Sequence, residues 1–264
     1  MSPKQSEQGI ARSLKILETL SENQTGLNLL KLADQTKLSP ATASRILHNL
    51  ALYDYVYQNP YTKAYFLGSR LIRLGEAARS QNIVIEVATE SLKEMASLTN
   101  ENANLAILKG NQAVYINQVK GSADWTGRIF TQIGAQVPLH STGVGKAILA
   151  YSTEDFIRKV INNGLETFTK TTIIDTDILF SELARIRKLG YAVDNEENEI
   201  GVKCVASPII SYSNEVLGAV SISGPASRIT EARFEELGAL TRKAGLKISK
   251  QLGFQDEGFS EKSP

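Results

Sequence analysis

Residues 28–52 read NLLKLADQTKLSPATASRILHNLAL, and two helix starts inside this stretch decide the front of the fold. Asn28 offers a side-chain cap just ahead of Leu29, Leu30, Leu32 and Ala33. Ser39-Pro40 repeats the signal, a capping hydroxyl followed by proline at the first helical position. The first of these helices is too short to be stable without neighbours, so it must pack on the second. Within the second, Ala43, Ile46, Leu47 and Leu50 fall at i, i+3, i+4 and i+7 and form one apolar face. The opposite face carries Ala41, Thr42, Ser44, Arg45, His48 and Asn49, short or planar side chains able to reach phosphates or base edges in a major groove. A short helix, a tight turn and a capped second helix, with the small Ala33 at the crossing, have the spacing of a helix-turn-helix.

Upstream, Ile10, Leu14 and Leu17 recur along one side, with Ile16 and Leu20 broadening the stripe, so an amphipathic helix precedes the pair. Downstream, Tyr55-Val56-Tyr57 and Ala64-Tyr65-Phe66-Leu67 are rich in β-formers and flank the polar turn 58–63. That hairpin reads as a wing whose tip residue Lys63 can touch a phosphate beside the groove. A three-helix unit with a hairpin also suits protein interaction, and this alternative stays open at the sequence level.

The whole chain of 264 residues favours two domains, and 42% hydrophobic with 22% charged residues describes an ordinary globular protein that needs no cofactor. Residues 1–75 hold nine Lys or Arg against five Asp or Glu, while the rest hold twenty against twenty-three, so the small positive excess sits in front. No run of eighteen apolar residues and no apolar leader appear, and the single cysteine, Cys204, suits a reducing compartment. A cytoplasmic protein without a membrane partner is expected.

From Ser69 to Leu98 helix formers dominate, interrupted at Gly75 and Asn82, which predicts one or two connecting helices and, through their apolar positions, a homodimer. Beyond Glu101 come short β-rich runs at 104–109, 113–119 and 128–133. Helical stretches follow at 153–163 and 175–189, then strands at 191–194, 203–210 and 216–223, and a closing helix at 230–252. Strands grouped before and after helices indicate an α+β domain with an antiparallel sheet. The polar residues after Phe254 read as a disordered tail.

Enzymatic readings fare less well. Ser141-Thr142-Gly143-Val144-Gly145-Lys146-Ala147 invites comparison with a phosphate-binding loop, but His140 stands where such a loop needs glycine and Ala147 where it needs a hydroxyl. The same segment still sets Gly143 and Gly145 at a helix start, where free backbone N–H groups can hold an anion such as a carboxylate. A Cys204, His140 and Asp194 triad can be written on paper, and no closely spaced metal-ligand pair occurs. A metabolic enzyme with a helical accessory domain remains the alternative of a different class.

Along nearly its whole length the chain resembles the isocitrate lyase regulator, or IclR, family of bacterial transcription factors. In front the similar motifs are Ala11-Arg12-Ser13-Leu14, Leu29-Leu30-Lys31-Leu32-Ala33, Ser44-Arg45-Ile46-Leu47 and Tyr65-Phe66-Leu67-Gly68. In the rear they are Pro138 through Ala147, Gly190-Tyr191-Ala192-Val193-Asp194 and Gly201 through Pro208. The resemblance implies a winged helix-turn-helix at 1–75, a linker at 76–100 and a GAF/profilin-like antiparallel-sheet effector-binding domain at 101–254, with a tail at 255–264. It implies double-stranded operator DNA as partner, read by Thr42, Ser44, Arg45, His48, Asn49 and Lys63. It also implies a small organic-acid effector held by Gly143, Val144, Asp194, Cys204, Ser221 and Ser223, in a homodimer that can pair into a homotetramer on DNA. Ser221 and Ser223 alternate along one predicted strand, so both face the same side. Two turn positions depart from the family pattern, Lys37 and Lys63, where glycine is common; each implies strain of roughly 1 kcal/mol if left-handed.

Overall fold

The computed structural model describes residues 3–122 and 132–255, and the chain divides into two compact units, 1–81 and 82–264. The front unit runs α1 (Pro3–Ser21), α2 (Leu29–Thr36), α3 (Pro40–Leu52), β1 (Val56–Gln58), β2 (Tyr65–Leu67) and α4 (Ser69–Ser80). Both expected caps form: Asn28 Oδ1 accepts the Lys31 N–H at 2.9 Å, and Ser39 Oγ accepts the Thr42 N–H at 3.2 Å. β1 and β2 pair antiparallel, Val56 opposite Leu67, and a bridge from Leu27 to Tyr65 ties the hairpin to the loop before α2. The core gathers Ile16, Leu20, Leu27, Leu32, Ile46, Leu47 and Val56.

The inward face of α1 differs from the expected stripe. Ile16 and Leu20 are buried with Leu17 half-buried, whereas Ile10 and Leu14 are 62% and 53% exposed. Inward residues four apart set one line along the helix, and Ile10 and Leu14 fall on a neighbouring line that the described elements of the unit leave exposed. Lys37 adopts the left-handed conformation, φ 55°, closing α2 with its N–H on Ala33 and Asp34 carbonyls, and Lys63 does the same in the wing turn at φ 57°.

The rear unit begins with α5 (Ile83–Thr99), then β3 (Asn102–Lys109), β4 (Gln112–Val119), β5 (Gln136–Pro138), α6 (Gly143–Ala150), α7 (Glu154–Asn162) and α8 (Thr176–Leu189). It continues with β6 (Ala192–Asn195), β7 (Val202–Ile210), β8 (Val216–Pro225), a 3₁₀ turn (Glu231–Arg233) and α9 (Phe234–Gln251). The six strands form one antiparallel sheet in the order β5-β4-β3-β8-β7-β6. Helices α5 and α9 cover one face through Leu92, Met95, Leu105, Val205, Val220, Ile222, Leu237 and Ile248. Helices α6, α7 and α8 cover the other through Val144, Ile148, Ile157, Leu179 and Leu183 against Tyr115, Cys204, Ala206 and Ala219. An alternating strand sandwiched between two helical layers buries both of its faces, which is why β7 and β8 read as near-continuous apolar and small residues.

Of the strand expected at 128–133, residues 128–131 lie outside the described residues, as does the tail beyond 255; Gln132 to Ala135 form a turn. Strand β5 and the continuation of the front unit through α4 were not foreseen. The division between units falls at Gln81/Asn82, between α4 and α5, so residue 75 lies within a helix, and α5 is core to the rear unit.

Candidate functional site

On α3 the two faces separate as their spacing demands. Ala43, Ile46 and Leu47 are buried, while Ala41, Ser44, Arg45, His48 and Asn49 are exposed, and Arg45 forms no ion pair among the described residues. Thr42 is half-buried and its hydroxyl shares a 2.8 Å hydrogen bond with Ser39 Oγ, so it is committed to holding the helix start. Lys63 is exposed at the wing tip, where Asn59 Oδ1 accepts the N–H groups of Tyr61 and Thr62 and fixes the turn. The sequence reading passes over Tyr61, 92% exposed on that tip; an aromatic side chain inside a polar turn is the signal that marks it.

In the rear unit the strand register builds a buried polar band beneath the start of α6. Asp194 lies opposite Cys204, and Cys204 opposite Ser223, so three strands contribute one row. Ser221 lies opposite Asn104 on β3 in the next row. All five are buried. Asn104 Nδ2 donates to Ser223 Oγ at 3.0 Å and Ser221 Oγ at 3.3 Å, and its Oδ1 accepts from Gln118 Nε2 at 2.9 Å. Thr142 caps α6, its hydroxyl accepting the Gly145 N–H at 3.0 Å. Gly143 sits tightly on β7: a Cβ there would stand 2.9 Å from Cys204 Sγ. The thiol in turn meets the Val144 backbone and the Ser221 side chain. Gly143, Val144, Asp194, Cys204, Ser221 and Ser223 therefore converge on one place.

Its electrostatics follow from burial. The Cys204 thiol is pushed up to about 12, first by burial and then by the Asp194 charge, so it is a neutral wall and no thiolate. Asp194 is raised to about 7, by burial and then by Glu197, although its Oδ1 accepts the Glu197 N–H at 2.7 Å and Lys146 opposes the shift. Tyr115 is raised as well, mainly by burial. The paper triad does not assemble: His140 Nε2 bonds the Glu166 carbonyl at 2.9 Å, and no hydrogen bond joins His140, Asp194 and Cys204 among the described residues.

Two groups were missed by sequence reasoning. Asn104 is a buried polar residue set among Ala103, Leu105, Ala106, Ile107 and Leu108 on β3, a detectable anomaly. Lys146 is fully buried on α6, its Nζ paired with Glu197 Oε1 and 3.8 Å from Glu182 Oε1, so the lysine of the glycine-rich segment is an internal counterion. Glu197 is thus bound both to α6 and, through its backbone, to Asp194.

No helix among the described residues is long and apolar enough to cross a membrane. Comparison with known proteins gives matches to the family described as IclR helix-turn-helix domain over residues 9–60 and to that described as bacterial transcriptional regulator IclR C-terminal over residues 76–250. The HTH-type transcriptional repressor AllR of Salmonella typhi is 36% identical over 249 residues, covering 94% of this chain and 91% of that protein. Among solved structures, the Thermotoga maritima IclR aligns with TM-score 0.79 at 31% identity, covering 93% of this chain and 98% of that one. An IclR regulator of Alicyclobacillus acidocaldarius aligns with TM-score 0.82 at 28% identity over the same shares. With both halves matched in order and a relative above 30% identity along almost the full length, the chain belongs to the IclR family of bacterial transcriptional regulators.

Proposed function

We propose that the protein is a repressor that binds a two-fold operator as a dimer, with α3 in the major groove, and that a small organic acid in the rear unit changes how well it does so. The observation that carries the reading is the division of α3: Ser44, Arg45, His48 and Asn49 are exposed on a helix whose other face buries Ala43, Ile46 and Leu47. Arg45 is suited to a guanine edge or phosphate and Asn49 to an adenine edge, while Lys63 reaches a flanking phosphate. The repressor sense is taken from the name of the AllR relatives.

The acid is placed at the α6 start. Its carboxylate meets the helix's first amides at Gly143 and Val144, and its other polar groups meet Ser221, Ser223 and Asp194. A neutral Cys204 and the lack of a bonded triad support binding without turnover. Dimerisation is supported by uncovered apolar side chains: α4 buries no residue, and it exposes Ile72 and Leu74 while α1 exposes Ile10 and Leu14. The dimer is assigned to the cytoplasm with its DNA, and pairing of dimers on one operator accounts for a tetramer.

A mobility-shift titration with the DNA upstream of its own gene tests this. Wild type binds with affinity that falls steeply in salt, Arg45→Ala weakens it by ~1–3 kcal/mol or removes one phosphate's share of the salt slope, and the acid alters it. Unchanged binding by Arg45→Ala at physiological salt would sink helix α3 as the reader.

A further inference from the structure

A cavity of about 510 Å³ lies in the rear unit, and it shares no residue with the band of Asp194, Cys204, Ser221 and Ser223. That volume falls in the range of roughly 300–1,000 Å³ usual for small-molecule sites. It opens between the β3–β4 turn at Asn111, the Leu139-His140 run leading into α6, the end of α7 at Val160 and Asn163, and the loop that carries Phe168. Leu139 and Val160 are buried apolar walls. Phe168 is part-exposed, its ring centroid 6.0 Å from that of His140 at a tilt of 34°, so the two rings stand side by side at the cavity.

The polar character of the walls selects the ligand. Among the described residues no lysine or arginine lines the cavity, and the ionisable groups that do are His140 and Glu166. His140 Nε2 faces the Glu166 carbonyl at 2.9 Å. A carbonyl oxygen only accepts, so Nε2 carries the ring proton and Nδ1 is left as a bare acceptor. Burial lowers the imidazole's pKa and keeps the ring uncharged near neutrality. A carboxylate ligand finds no cation among the lining residues, with Glu166 as the one acidic residue there, whereas an N–H donor finds the His140 ring acceptor beside the Phe168 ring.

We propose that this cavity is a second ligand site, for an uncharged planar molecule of the aromatic amide or nucleobase class that donates an N–H to His140 Nδ1 and stacks on Phe168. Its chemistry is the reverse of the organic-acid site, where helix amides favour a negative charge. The two sites thus discriminate by charge.

Isothermal titration of the full-length protein with nicotinamide, adenine and the anionic isostere nicotinate tests the assignment without any DNA, so it stands apart from the operator reading. Nicotinamide or adenine is expected to bind, with nicotinate at least tenfold weaker. Phe168→Ala, at a part-exposed position, and His140→Ala are each expected to weaken the binding at least fivefold. Should His140→Ala unfold, Asn163→Trp at the exposed rim of the cavity serves in its place by blocking entry. Failure of both neutral probes to bind at millimolar concentration, equal binding of nicotinate, or full binding by Phe168→Ala would each overturn it.

Discussion

Replacing Gly143 with alanine puts a methyl group into the tight contact between α6 and β7 at the proposed effector site. The new Cβ would stand 2.9 Å from Cys204 Sγ, 3.3 Å from the Cys204 carbonyl oxygen and 3.4 Å from Cys204 Cβ. Ordinary contact needs about 3.5 Å or more, so α6 must lift from β7 by roughly half an ångström or the thiol must swing aside. Forcing such an overpacked contact costs ~1–3 kcal/mol. For a unit of this size each kcal/mol moves Tm by ~2–4 °C, so Gly143→Ala lowers the calorimetric transition of the rear unit by about 4–8 °C at the middle of that range. Acid binding falls with it, because the displaced N–H groups are those assigned to the carboxylate. The sulfur is the closest of the three atoms and the one a mutation can remove. Cys204→Ala alone loses some packing, but in the double variant the two losses are not additive, and about 1 kcal/mol or more is recovered. Gly145→Ala is the contrast: its Cβ would stand 2.4 Å from the Pro138 carbonyl oxygen, backbone that no side-chain change relieves. If the Gly143→Ala and Cys204→Ala losses simply add within ~0.5 kcal/mol, the thiol does not set the height of α6 and the argument fails.

Four further outcomes are expected. Asp194 at about 7 donates a proton to a carboxylate ligand only while protonated, so calorimetric affinity for the acid falls about tenfold per pH unit above 7, and Asp194→Asn flattens the profile. Because its folded value lies above the usual ~4 of the unfolded carboxyl, the same group's contribution to unliganded stability is present at low pH and is lost as pH rises from ~4 to ~7; thermal melts showing the opposite slope in wild type relative to Asp194→Asn would contradict this. Lys146→Met leaves Glu197 charged and buried and costs ~3–5 kcal/mol in chemical denaturation, with a substantial part regained in the Lys146→Met/Glu197→Gln pair; an additive pair would show that the two do not act as one unit. Lys37→Gly relieves the left-handed turn by about 1 kcal/mol in Tm-derived stability, yet weakens operator binding at low salt if that lysine meets a phosphate.

The DNA-facing half was legible because its signals are local. Ser39-Pro40 fixes where α3 begins, and Ala43, Ile46 and Leu47 fix its rotation, so the free face follows without any long-range information. Thr42 is the exception, drawn into the cap by a hydroxyl three residues away. The side of α1 was less legible: Ile10, Leu14, Ile16, Leu17 and Leu20 spread over nearly half the helix circumference, wider than the strip that ends up enclosed, and only the position of α2 and α3 decides which of them are covered.

In the rear unit, strand periodicity places Ser221 and Ser223 on one face, but it cannot say that β8 lies between β3 and β7, which is what brings Asn104 and Cys204 beside them. That neighbour relation spans 117 residues and is set by which apolar faces bury best together. Lys146 makes the same point from charge. Beside Gly143 and Gly145 a lysine reads as a phosphate ligand, because the local pattern shows a cation and no anion. Its anion, Glu197, arrives from a loop 51 residues later, and the buried ammonium is held by Glu197 with Glu182 close by. In the proposed site the effector's negative end is then met by backbone amides, hydroxyls and the protonated Asp194, and those groups recognise a carboxylate through geometry, which makes the height of α6 over β7 the quantity on which ligand choice would turn.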